Sequence, residues 1–256
     1  MNELKARLDD LVLQKSTQEG LLSYFDPMQV VQVFKQDKNI EFIALICALF
    51  SYGSAKQIVK FLHTLDFSLL DKSEAQIKKA FSKEKYRFQT SSDITNIFIT
   101  LRRLKDESSI KSICESSYKK GSVLASLKAL IDAIYEVNNY KSPGYEFFFN
   151  KPFLDLPKSP LKRYNMYLRW MVRRDAIDLG LFKKISKKDL IIPLDTHTHK
   201  MGLKLGLLTR KQADLKAALE LTKALAKFDA NDPVKYDFAL YRIGQELSQN
   251  LSQEAS

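Results

Sequence analysis

Three stretches of this chain combine residue types and spacings that could do chemistry. In Leu156-Pro157-Lys158-Ser159-Pro160-Leu161-Lys162, a turn with two prolines delivers Lys162 to the first turn of an amphipathic helix. There the positive end of the helix dipole and the neighbouring Arg163 favour the neutral amine that a nucleophile needs. The same lysine also reads as a solvated cation on a basic surface. In residues 190–200 an apolar run aims Asp195 at the start of a second helix, either as a working carboxylate or as an ordinary N-cap. Asp195, His197 and His199 have metal-ligating side chains. On a helix, however, Asp195 and His199 share a face while His197 points elsewhere, and only His63 remains to complete a set. No metal site is expected. Near the C-terminus, Asp237 and Tyr241 stand four residues apart, so a carboxylate and a ring lie on one helix face. The bland alternative there is a solvated aspartate beside a core tyrosine.

The elements that must position these groups are helical. Leu4, Leu8, Leu11 and Leu13 mark an amphipathic opening helix. Asp26-Pro27 reads as an N-cap followed by Pro at the first helical position. Residues 42–50 are almost wholly apolar and predict a buried helix ending at Gly53, with a further helix over 55–65. Asp93 is expected to cap a helix through Leu104, and 123–137 is strongly amphipathic. Helices follow over 161–173 and from Thr196. Thr209 and Gln212 read as a capping box, and Asp232-Pro233 opens the last helix. No repeat, low-complexity linker or domain boundary is evident. The expected fold class is all-α, with any strands short.

Composition narrows the function. Of 256 residues, 45% are apolar, which supplies a real core, and only 8 Gly and 7 Pro argue against a turn-rich β fold. Lys and Arg outnumber Asp and Glu by 41 to 30, a net charge of +11 that suits a polyanionic partner. Lys183, Lys184, Lys187 and Lys188 concentrate part of it. Cys47 and Cys114 sit in apolar helical settings with no Cys-x-x-Cys spacing, which excludes a cysteine-ligated cluster and fits a reducing cytoplasm. The opening residues are charged and amphipathic rather than leader-like, and no apolar run approaches the roughly 20 residues that span a bilayer.

Together the two central stretches resemble the helix-hairpin-helix DNA glycosylases. Their hairpin has the form Leu-Pro-Gly-x-Gly-x-Lys; here Leu156-Pro157…Lys162 keeps the spacing, Asn165 and Leu168 match the following helix, and Lys158 and Pro160 replace the glycines. Their catalytic motif, Val-Asp-Thr-His-x-x-Arg, is similar to Leu194-Asp195-Thr196-His197-Thr198-His199-Lys200. Lys162 and Asp195 lie 33 residues apart, which resembles the archaeal 8-oxoguanine branch, as does Asp237-Phe-Ala-Leu-Tyr241 with Gly244.

The resemblance implies a two-lobed fold with the active site between the lobes. Residues 40–150 would form one lobe, and the N-terminal segment with 151–256 the other. It implies a bifunctional DNA glycosylase and abasic-site lyase without cofactor, acting as a monomer on duplex DNA that carries a damaged base, associated with the nucleoid. Lys162 would be the nucleophile and Asp195 the carboxylate that assists it. Asp237 and Tyr241 would hold the extruded base, 8-oxoguanine. Tyr52, after the buried helix, would fill the gap in the stack, and Lys158, Arg163, His197 and Lys200 would contact the backbone. A non-catalytic sensor of damaged DNA is the alternative, and a metal-dependent hydrolase built on Asp195, His197 and His199 a third.

Overall fold

In the computed structural model, residues 2–244 are described, and they are all-α. In chain order the helices are α1 (Asn2–Lys15), α2 (Gln18–Leu22), α3 (Pro27–Val33), α4 (Ile40–Leu49), α5 (Ala55–Leu62), α6 (Glu74–Ala80), α7 (Ser91–Glu107), α8 (Ile110–Ser117), α9 (Leu124–Glu136), α10 (Pro143–Phe149), α11 (Lys162–Val172), α12 (Thr196–Lys204), α13 (Leu215–Ala226) and α14 (237–244). Short 3-10 turns lie at Phe67–Asp71, Lys187–Asp189 and Pro233–Tyr236. Among the described residues extended pairing is confined to two isolated bridges, Tyr86 with Gln89 and Arg174 with Leu179.

The chain divides into two compact units. One contains residues 2–24, 120–123 and 155–244; the other contains 25–119 and 124–154. The boundaries expected near 40 and 150 therefore fall at 24/25 and 154/155. The reason is α3, whose Met28, Val30 and Val31 are buried and which packs on α4 and α5.

In the second unit, α4 is the core. Its residues from Phe42 to Leu49 are all buried, as an apolar run without a polar stripe requires. Around it α8 pairs with α9, and Cys47 and Cys114 are fully enclosed. Burial pushes both thiols up, well above their ordinary range. The capping residue of α7 differs from expectation. Thr90 is the N-cap, and Asp93 is the partner three residues on that closes the capping box back onto Thr90 N–H at 2.8 Å. Asp93 is then free to take on Tyr140 (3.0 Å) and Ser142, which pin the start of α10.

In the first unit, α11 is the buried element, with Tyr164, Tyr167, Leu168, Trp170 and Met171 in the core. The chain after it folds back along its end: Leu179 N–H donates to Trp170 O (2.8 Å) and Phe182 N–H to Met171 O (2.7 Å). Ile191, Ile192 and Leu194 are buried in an extended run that feeds α12. The helix expected from Thr209 starts later. Asp214 caps α13 through Ala217 N–H (3.0 Å), while Thr209 hydrogen-bonds Glu220 (2.7 Å). No described helix is long and apolar enough to cross a membrane.

Candidate active site

The first unit gathers most of the singled-out residues. Lys162 is the first residue of α11, half-buried. The turn before it is locked by short-range bonds rather than by glycine. Leu161 takes the left-handed conformation (φ 47°), its N–H donates to Ser159 Oγ (3.2 Å), and Asn165 Nδ2 donates to Pro160 O (2.9 Å). A non-glycine residue at positive φ costs free energy that the surrounding bonds must offset, and Asn165 supplies the clamp from one turn inside the helix. Lys158 is exposed, and its carbonyl accepts from Leu215 N–H (3.4 Å) at the start of α13. Arg163 is half-buried beside Lys162.

Asp195 caps α12, accepting from Thr198 N–H at 2.8 Å, so the N-cap reading is realised. Its carboxylate remains half-buried at the mouth of the buried run that delivers it. The two histidines of the motif serve different neighbours. His199 is buried and its Nε2 meets Arg210 O (3.0 Å), while His197 presents its ring edge-on to Tyr241 (centroids 5.8 Å, 84°). Gly244, one turn past Tyr241, allows that approach. A Cβ there would lie 2.9 Å from His197 Cβ and 3.2 Å from His197 O. Lys200 is exposed on α12.

Asp237 opens α14 and is buried. Its Oδ2 accepts from Arg169 Nη1 at 2.6 Å. Burial raises its pKa, the Arg169 charge and hydrogen bond lower it, the charge of Asp195 raises it and that of Lys162 lowers it, for a net value pushed up to about 6. Lys162, Asp195 and Asp237 come from the starts of three helices, α11, α12 and α14, and Asp237 feels the other two charges. A cation and two carboxylates within one electrostatic neighbourhood can hold and pass a proton, and can stabilise positive charge on a bound group.

Behind this trio lies a buried ion network absent from the sequence reading. Arg169 also donates to Asp178 through Nε and Nη2 (3.2 and 3.1 Å). Arg173 donates to Asp178 and, through Nε, to Asp232 (2.9 Å); Lys187 reaches Asp232 at 3.3 Å. The partners lie up to 68 positions apart in the chain. The one legible trace is that Arg169 and Arg173 fall four apart at the C-terminal end of α11, beside the apolar and aromatic residues Met166, Tyr167, Leu168, Trp170, Met171 and Val172, where an unpaired guanidinium would be prohibitive. Arg242 is a third enclosed cation, 4.7 Å over the Phe238 ring and 4.9 Å over Tyr24.

Tyr52 lies in the other unit. It is half-buried within a ring cluster, edge-on to Tyr86 (5.3 Å) and Phe147 (4.9 Å), and its hydroxyl bonds Gln89. It follows α4 as expected, but is held in that cluster rather than projecting from it.

The first unit is thus an all-helical body in which a lysine and two carboxylates stand at helix starts, with Asp237 in the field of the other two. The chain belongs to the DUF2400 family, described as proteins of unknown function, whose model matches residues 26–246. Neither a curated protein nor a solved structure matches the chain.

Proposed function

We propose that the protein is a base-excision DNA glycosylase with coupled abasic-site lyase activity. The observation that carries this reading is the electrostatic convergence of Lys162, Asp195 and Asp237 from three separate helices. The two compact units correspond, on this reading, to the two lobes of a helix-hairpin-helix glycosylase, with the Pro157–Lys162 turn as its hairpin.

In this mechanism Lys162 Nζ attacks C1′ of the nucleotide. The C1′–N bond breaks and its electron pair leaves with the base, which takes up a proton. Asp195 stabilises the positive charge that develops on the sugar. Opening of the sugar ring, with O4′ protonated and the amine losing its protons to the adjacent carboxylates or water, gives a C1′ iminium on Lys162. Loss of a C2′ proton then expels the 3′ phosphate. Asp237 and Tyr241 would receive the base, since adjacent N–H donors on a guanine edge suit a carboxylate, and 8-oxoguanine is the proposed lesion. One oxygen of Asp237 is already committed to Arg169, so the base would be read through the other.

The test is borohydride trapping with a duplex carrying a single 8-oxoguanine. The full chain should form a covalent adduct, and Lys162→Gln should form none while keeping its helical signal. An adduct with the variant would put the nucleophile elsewhere. DNA binding without any adduct would favour the non-catalytic sensor.

A further inference from the structure

The second unit carries a surface feature that the proposed chemistry does not use. Tyr86 and Gln89 exchange both backbone hydrogen bonds (3.2 and 2.9 Å), leaving Arg87 and Phe88 as a two-residue tip. The feet of this turn are fixed. The Tyr86 ring stacks on Phe61 (4.2 Å, 22°) and its hydroxyl donates to Tyr52 O (3.1 Å); Gln89 is buried and bonds Tyr52 and Gly144 O (3.3 Å). The tip is the opposite. Arg87 is held at φ 55°, where a side chain is disfavoured and glycine is at ease. Phe88 is 51% exposed, and leans on Phe147, itself 42% exposed, at 4.7 Å.

The charge around these rings is mainly positive, although Glu84 stands between Lys83 and Lys85, and Glu146, next to Phe147, pairs with Lys151 at 2.9 Å. Arg87 lies over Tyr52 (5.9 Å) and against Gly53, where a Cβ would come within 2.2 Å of its Nη1. Lys83 and Lys85 are exposed on the approach to the turn, and Lys83, Lys85 and Arg87 make no ion pair among the described residues. An exposed aromatic at a rigid, strained tip, flanked by cations that no carboxylate among the described residues pairs, in a chain of net charge +11, is disfavoured in water and matches a flat π-face beside a phosphate.

From this we infer that the Arg87–Phe88 turn is a nucleobase-stacking tip: Phe88, backed by Phe147, stacks on a base exposed in DNA while Arg87 meets an adjoining phosphate. The inference rests on the DNA-binding part of the proposed function but not on its chemistry.

The test is anisotropy of a fluorescein-labelled duplex with one bulged adenine, against the same duplex fully paired, using the full chain. Phe88→Ser should weaken binding to the bulged duplex about tenfold and hardly change the paired one. Arg87→Gly relieves the positive φ, so its melting temperature should hold or rise, while binding weakens and the salt slope becomes shallower by about 0.9. Equal affinity of the wild type for both duplexes, or of Phe88→Ser and wild type for the bulged one, overturns the inference. So does a Phe88→Ser chain that loses self-association in sedimentation and keeps its DNA affinity, since the patch would then cover a second copy. Borohydride trapping run in parallel separates the two readings. Trapping without Phe88 dependence removes the tip alone, and Phe88-dependent binding without trapping removes the chemistry alone.

Discussion

Replacing Asp237 with Asn should change how stability depends on pH. Asp237 is enclosed, and holding its carboxyl at about 6 rather than 3.8 means that the folded protein favours the protonated form. At about 1.4 kcal/mol per pH unit, this amounts to about 3 kcal/mol. The sign follows from the raised value. The stabilisation is fully present below the unfolded value near 3.8 and is lost as pH rises through 6. About 2 kcal/mol of it falls between about pH 4.5 and 7.5, where unfolding is easily measured. Urea unfolding of the wild type and Asp237→Asn across that range should therefore give curves that converge or cross, the wild type losing about 2 kcal/mol relative to the variant as pH rises. At about 2–4 °C per kcal/mol for a chain of this size, the relative melting temperatures should move by about 4–8 °C. Arg169 and its bond to Asp178 remain in both proteins, so the difference isolates the one carboxyl. Parallel curves would refute the reasoning, and with it the claim that Asp237 stands enclosed beside Asp195 and Lys162.

Asp195→Asn keeps a competent N-cap for α12, so the melting temperature should barely move while lesion DNA is still bound and excision becomes very slow; a large thermal loss with normal excision would make Asp195 structural only. In Gly244→Ala, the gain of about 1 kcal/mol in helix propensity is set against a Cβ 2.9 Å from His197 Cβ. Overpacking at such a contact costs about 1–3 kcal/mol, so thermal unfolding should show net destabilisation, and a rise in melting temperature would mean that α12 and α14 are not tightly apposed.

The strongly periodic helices were legible before the fold, and so were the apolar run of α4, the Asp26-Pro27 start and the Asp195 cap, because each is written in adjacent residues. The prolines and Lys162 likewise place the candidate nucleophile at a helix start without tertiary information. Residues whose role depends on distant partners were not legible. Thr209 and Gln212 fit a local capping pattern, but Glu220 draws Thr209 away and Asp214 takes the cap. Thr90 outcompeted Asp93 because the box needs both, and only the backbone at Thr90 is extended there. The Arg169–Asp178–Arg173–Asp232 network joins residues from three stretches of chain, and nothing in a single stretch names its partners. The Arg87–Phe88 tip was missed for a different reason: two residues between bridged neighbours carry no periodicity.

The placement of the rarest side chains gives each unit its own reporter. The single tryptophan, Trp170, is enclosed in α11 of the first unit, eight positions along from Lys162. Both cysteines are enclosed in the second unit, with thiols too poorly ionised to react while covered. In the unaltered chain, tryptophan emission therefore follows the loosening of one body and thiol labelling the opening of the other. Comparing the two signals along one denaturant series shows directly whether the halves melt as a single cooperative unit or in sequence.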